Sequence, residues 1–198
     1  GALTRFILAR AQTVHLVELD RDLAAYLRDA LGAAPYPAIV HEQDVLTFDF
    51  KALAEQERKP LVVLGNLPYN ITSPLIFHLV ESLPAVSRAV FMVQKETGER
   101  LAAAPGGTAY GVLSVILGVY GRVRQLFTVS PGQFHPPPKV DSLVIRIDFE
   151  APSAPTRPAY PSLQKLVNTA FQKRRKTLWN SLKPVYGSDL VELERHDG

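Results

Sequence analysis

Apolar residues fall into short runs whose period changes along the chain. Leu3, Phe6, Ile7 and Ala11 keep close to i, i+3, i+4 spacing and predict a first helix over 3–11. The run VHLVEL at 14–19 is rich in β-branched residues, reads as a short strand, and contains Glu18 just before Asp20. Asp20 is placed to cap a helix that runs to Leu31 and stops at Gly32. Residues 38–41 predict a second strand, followed by Gln43 and Asp44, and residues 50–57 a helix. LVVL at 61–64, between Pro60 and Gly65, reads as a buried strand, followed by a helix over 73–82 and a strand over 89–93. This alternation predicts an α/β fold with a parallel sheet covered on both faces. Ligands of such sheets gather at the carboxyl ends of the strands. An acid or amide closes three strands in turn: Glu18, Asp44 and Asn66.

From Tyr110 the pattern shifts. Residues 110–120 are apolar enough for a helix, and 122–129 and 141–149 read as strands, the second alternating through Leu143, Ile145, Ile147 and Phe149. The Pro-rich stretch PGQFHPPPK at 131–139 separates them. A second Pro-rich stretch, 151–161, reads as a linker, and 162–182 as an amphipathic helix or helix pair carrying Lys173-Arg174-Arg175-Lys176.

Composition narrows the class. Hydrophobic residues make up 46% of the 198 and charged residues 21%, the balance of a globular fold. No apolar run is long enough to predict a membrane span. Cysteine is absent, which excludes a disulfide scaffold, cysteine-ligated metal and a cysteine nucleophile. The five histidines lack metal-ligand spacing, so no metal is expected. The net charge of +3 is unevenly spread: residues 1–50 carry four basic against seven acidic side chains, residues 151–198 eight against four. A basic excess at the back suits a polyanionic partner. The chain opens on Gly1-Ala2-Leu3-Thr4 with neither Met nor a leader pattern, so further sequence is expected before Gly1.

The chemistry concentrates in Asn66-Leu67-Pro68-Tyr69. An exocyclic amine on a base is a poor nucleophile because its lone pair is delocalised into the ring. Two acceptors, the Asn66 side-chain oxygen and the main-chain carbonyl of Leu67 or Pro68, would bind its two N–H groups and favour a tetrahedral nitrogen. Tyr69 offers a face for stacking an extruded base. The plainer alternative is a strand-to-helix turn with a buried tyrosine. Glu18 suits a pair of ribose hydroxyls, or simply the dipole of the following helix. Asp44 suits an adenine amine, or a local turn. Phe134 is a second stacking face or a plug under its loop, and the basic run a phosphate-binding or merely solvated surface.

VELD at 17–20, QD at 43–44, GNLPYNIT at 65–72, FHPPPKVDS at 134–142 and FQKRRKTLWNSL at 171–182 together resemble the ribosomal RNA adenine N6,N6-dimethyltransferases of the KsgA/RsmA family, as far as Leu182. The resemblance implies a class I, Rossmann-like methyltransferase domain over 1–150, a linker over 151–161 and the start of a helical C-terminal subdomain over 162–198. It implies that Gly1 ends a glycine-rich cofactor loop whose earlier part, with the first strand, lies outside this sequence, and that the chain as it stands binds S-adenosylmethionine weakly. It assigns Glu18, with Leu19, to the cofactor ribose, Asp44, with Val45, to its adenine, and Asn66 to its methionine side and the target amine. Leu67 and Pro68 complete the acceptor turn, and Tyr69 and Phe134 flank the target adenine. Lys139, Lys173, Arg174, Arg175 and Lys176 would contact RNA. The implied reaction is dimethylation of two adjacent adenosines in a hairpin near the 3′ end of 16S ribosomal RNA. The expected setting is the immature small subunit in the cytoplasm, with the enzyme a monomer without metal or membrane contact. The alternatives are a 23S ribosomal RNA methyltransferase of the macrolide-resistance type, a non-catalytic assembly factor with the same fold, and a NAD-dependent dehydrogenase.

Overall fold

The computed structural model describes residues 2–32, 38–68, 70–149, 158–173 and 176–194. The chain forms two compact units, Gly1–Asp49 and Phe50–Gly198, a division that falls inside the stretch expected as one α/β domain. Most of the expected linker lies outside the described residues.

The first unit contains helix α1 (Ala2–Leu8), strand β1 (Val14–Glu18), helix α2 (Arg21–Gly32) and strand β2 (Ala38–Glu42). Helix α1 stops short of Ala11 because the Ile7 carbonyl takes the N–H groups of both Arg10 and Ala11 at 2.9 Å, ending the regular ladder. Asp20 caps α2 as expected: its Oδ1 accepts the Leu23 N–H at 3.0 Å and its carbonyl the Ala24 N–H at 2.8 Å. Strands β1 and β2 pair in parallel from Val14 opposite Ala38 to Glu18 opposite Glu42. On one face of this pair His15 Nδ1 lies 2.9 Å from His41 Nε2. The Phe48 ring meets His41 edge-on.

The second unit runs through α3 (Phe50–Glu57), β3 (Leu61–Asn66), α4 (Thr72–Glu81), β4 (Val86–Gln94), α5 (Lys95–Leu101), α6 (Val112–Tyr120), β5 (Gly121–Val129), β6 (Ser142–Phe149), α7 (Tyr160–Phe171) and α8 (Leu178–Glu194). Its sheet has the order β3-β4-β6-β5. Strands β3 and β4 are parallel, and β6 runs antiparallel to both β4 and β5. The parallel pairing expected from the alternation thus ends where the sequence pattern changed. The link from β5 to β6 holds only a short 3-10 turn at Pro131–Gln133, and without a crossover helix two successive strands return antiparallel.

The core lies under one face of this sheet. Ala89, Phe91 and Val93 of β4 and Ile145 and Ile147 of β6 are almost wholly buried, as are Leu75, Ile76 and Leu79 of α4 and Ile116 and Leu117 of α6. Burial on this scale contributes about 1.5–3 kcal/mol for each large side chain. Helix α5 lies hard against β6: a Cβ on Gly98 would stand 2.7 Å from Leu143 Cδ2. The opposite face carries the polar positions of β4, β5 and β6.

Of the two readings of 162–182, a helix or a helix pair, the structure has the pair. Lys173 and Lys176 lie between α7 and α8, which corrects for these two the expectation that the basic run rides on a helix, and Arg174 and Arg175 lie outside the described residues. Thr177 restarts the helical path, its hydroxyl accepting the Asn180 N–H at 3.3 Å and its carbonyl the Ser181 N–H at 3.1 Å. Helix α8 continues well past Leu182, with a kink at Tyr186 after Pro184. Tyr160 fixes α7, with its ring against Phe77 and Tyr120. Burial, with Glu81 and Tyr120 nearby, pushes its hydroxyl up to about 12. Among the described residues no helix is long and apolar enough to cross a membrane.

Candidate active site

Strand β3 delivers Asn66 to its carboxyl end, exposed and opposite Met92 of β4. Leu67 turns inward and adds one further rung, its N–H donating to the Met92 carbonyl at 3.1 Å. Gly65 permits this turn, since a Cβ there would come within 3.0 Å of Leu67 Cδ2. The Pro68 carbonyl is engaged twice at the start of α4. It accepts the Ile71 N–H at 3.2 Å and the hydroxyl of buried Thr72 at 3.5 Å. No donor among the described residues reaches the Leu67 carbonyl. Of the two main-chain acceptors left open by the sequence, Leu67's is therefore the one with capacity to spare. Tyr69 lies outside the described residues.

Glu18 ends β1, half-buried, with Oε1 accepting the Asp20 N–H at 3.0 Å. Its carbonyl accepts the Gln43 N–H at 3.0 Å, which ties the end of β1 to the segment after β2. Asp44 caps the 3-10 turn Val45–Thr47, Oδ1 accepting the Leu46 N–H at 2.9 Å. The local-turn reading of Asp44 is therefore satisfied by one oxygen, and Oδ2 remains without a donor among the described residues. Leu19 is exposed, Val45 opens the turn, and Gly1 lies outside the described residues. Two half-buried carboxylates at the ends of adjacent parallel strands, each with one oxygen on a main-chain N–H, form an acceptor set that fits the hydroxyls and amine of a nucleoside. Glu18, Leu19, Asp44 and Val45 belong to the first unit, and Asn66, Leu67 and Pro68 to the second.

Phe134 is half-buried at the end of the Pro131–Gln133 turn, its N–H on the Pro131 carbonyl at 3.1 Å. The Phe134 loop leaves the sheet at the end where Asn66 sits. It returns at Asp141, whose carbonyl accepts the Lys95 N–H at 3.0 Å and whose carboxylate lies 4.0 Å from Lys95 Nζ. Lys139 on this loop is exposed, as are Lys173 and Lys176. The clamping of Pro68 by Thr72 carries no sequence signal, because it depends on how α4 begins.

In fold and in the make-up of its strand ends the chain has the character of a Rossmann-like methyltransferase. Residues 1–197 match the ribosomal RNA adenine dimethylase family. The chain is 45% identical over 198 residues to ribosomal RNA small subunit methyltransferase A of Pseudomonas aeruginosa, spanning all of this chain and 73% of that protein. To the protein of the same name from Nitrosococcus oceani it is 47% identical over 194 residues, 98% of this chain and 73% of the other. Among solved structures, a dimethyladenosine transferase from Plasmodium falciparum superposes with a TM-score of 0.79 at 28% identity, covering 97% of this chain and 67% of that one. The 23S rRNA methyltransferase ErmE gives 0.72 at 26% identity, covering 98% and 75%. This chain belongs to the ribosomal RNA adenine dimethylase family. The match runs to residue 197, which corrects the expectation that the resemblance ends near Leu182.

Proposed function

We propose that this protein dimethylates adenine N6 in small-subunit ribosomal RNA, with S-adenosylmethionine as methyl donor. The observation that carries this reading is the pair of acceptors at the end of β3: the Asn66 side-chain oxygen and the Leu67 carbonyl, the latter with no donor among the described residues. Each takes one N–H of the target amine. Together they hold the nitrogen with its lone pair turned out of the ring and toward the methyl group. Neither is a strong base, and none is needed where orientation supplies the rate. Glu18 and Asp44 hold the cofactor's ribose hydroxyls and adenine amine. When bound, that cofactor supplies an electrophilic sulfonium methyl group. Tyr69 and Phe134 stack on the extruded adenine. Lys139 and the run Lys173-Arg174-Arg175-Lys176 meet the phosphates.

The names of the two curated relatives above support the small subunit as substrate, and the lower identity to ErmE weighs against the 23S alternative. On this reading the enzyme works in the cytoplasm as a monomer on the immature 16S particle, at two adjacent adenosines near the 3′ end, without a metal. The test is methyl transfer to under-methylated small subunits followed by mapping of the modified adenines. Asn66→Ala is expected to cut transfer about 10²- to 10³-fold, the loss typical of removing one preorganised hydrogen-bonding group. Full activity in that variant, or label found in 23S RNA instead, overturns the proposal.

A further inference from the structure

The face of the second unit's sheet that does not carry the core holds a cluster of guanidinium groups. In the β4-β6-β5 register Asp148 stands opposite both Arg88 and Arg122, and Arg146 stands opposite Arg124. Residues directly opposite one another share a face, so four arginines lie around Asp148, the one carboxylate of that face among the described residues. Asp148 binds Arg88 Nε at 2.7 Å and Arg146 Nε at 2.8 Å. Burial acts to raise its carboxyl, but the hydrogen bonds from Arg146 and Arg88 outweigh that and hold it below the ordinary carboxylate range. The Nε contacts fix two guanidinium planes and leave their terminal amino groups without an acceptor among the described residues. Arg124 has no ion-pair partner among the described residues, and Arg122 beside it is exposed.

The strand pairing then adds an aromatic. A register shift between Gln125 and Phe127 takes Leu126 out of step and sets Phe127 opposite Val144, on the arginine face and 59% exposed. The row that starts at Asn66 crosses Met92 and Val144 and ends on Phe127, three strand spacings or about 14 Å away. Even without Arg122, Arg88, Arg124 and Arg146 outnumber the carboxylates of this face among the described residues, and with one exposed ring among them they complement a polyanion that also carries bases.

We propose that this sheet face is a second RNA-contacting surface, in which Arg122, Arg124 and the terminal amino groups of Arg88 and Arg146 hold phosphates and Phe127 stacks a base, outside the site that receives the target adenine. The proposal rests on the ribosomal RNA reading above, and its test separates the two. Binding of a short hairpin RNA to the full chain is measured between about 0.05 and 0.2 M salt. Reversing Arg122→Glu and Arg124→Glu together is expected to weaken binding at least about tenfold and to lower the salt slope by about two, one unit for each lost phosphate contact. Lys51→Glu with Lys59→Glu, on and beside α3, changes net charge equally and is expected to leave affinity within about twofold if contact rather than overall charge matters. Phe127→Ala is expected to cost at least about fivefold with the slope unchanged, the signature of lost stacking. All three variants alter exposed side chains, and unchanged thermal melts verify folding. Equal losses in the arginine and lysine pairs, or no loss in the arginine pair, overturn the surface. A wild-type chain that binds the hairpin but transfers no methyl group to small subunits even at saturating S-adenosylmethionine overturns the function and leaves the surface standing.

Discussion

His15 and His41 share a hydrogen bond across β1 and β2, so at most one proton can occupy the space between Nδ1 and Nε2. Burial, and then the neighbouring His15, hold His41 below its ordinary value of 6.5. The unfolded chain therefore takes up this proton first as pH falls. The contribution to stability is complete above pH 6.5 and is lost on acidification toward the lower folded value. Thermal melts are expected to drop as pH goes from about 7.5 to about 5.5, and His41→Gln to flatten that dependence. A wild-type midpoint that holds steady over this range would contradict the coupling. At the same scale, Asn66, Glu18 and Asp44 were legible in the sequence because a strand's end is visible in its residues. The saturation of the Pro68 carbonyl was not, since it depends on Thr72 meeting it from the next helix.

Elements were legible where an apolar run had a clear period. Strand β3 and helix α3 follow directly from LVVL and from the pattern at 50–57. Helix α5 was hidden because KETGERL offers a bare glycine as its packing surface, and periodicity counts side chains. A helix pair over 162–182 was legible, but where α7 ends and α8 begins was not, because apolar spacing continues from Phe171 to Leu178 and Trp179. Two glycines make opposite predictions. Gly118 sits exposed inside α6 with nothing within reach of a Cβ, so Gly118→Ala is expected to stabilise by up to about 1 kcal/mol. A Cβ on Gly121 would stand 2.7 Å from the Asp148 carbonyl oxygen in the paired strand. Gly121→Ala is expected to destabilise by about 1–3 kcal/mol. Chemical denaturation of both variants, with the same sign of change, would contradict this reading of the β5–β6 contact.

Across the whole molecule the buried apolar residues are unevenly shared. In the first unit Leu8, Val14, Ala24 and Phe48 are buried, whereas the second unit holds most of the core. A two-stranded sheet has marginal stability of its own. Amide hydrogens of β1 and β2 are thus expected to exchange through a lower-energy opening than those of β4 and β6, resolved by exchange at rising denaturant. A common exchange free energy for all four strands would mean that the units open as one.

Strand β5 is the outer strand of its sheet, with Leu126 46% and Phe127 59% exposed. Such an edge invites a second molecule to pair with it, and like charge along the edge opposes that approach. Arg122 and Arg124, both exposed, place like charge along that edge. Neutralising both, as in Arg122→Ala with Arg124→Ala, is expected to raise light scattering with concentration, whereas the glutamate pair, which restores a like charge, is expected to stay dispersed.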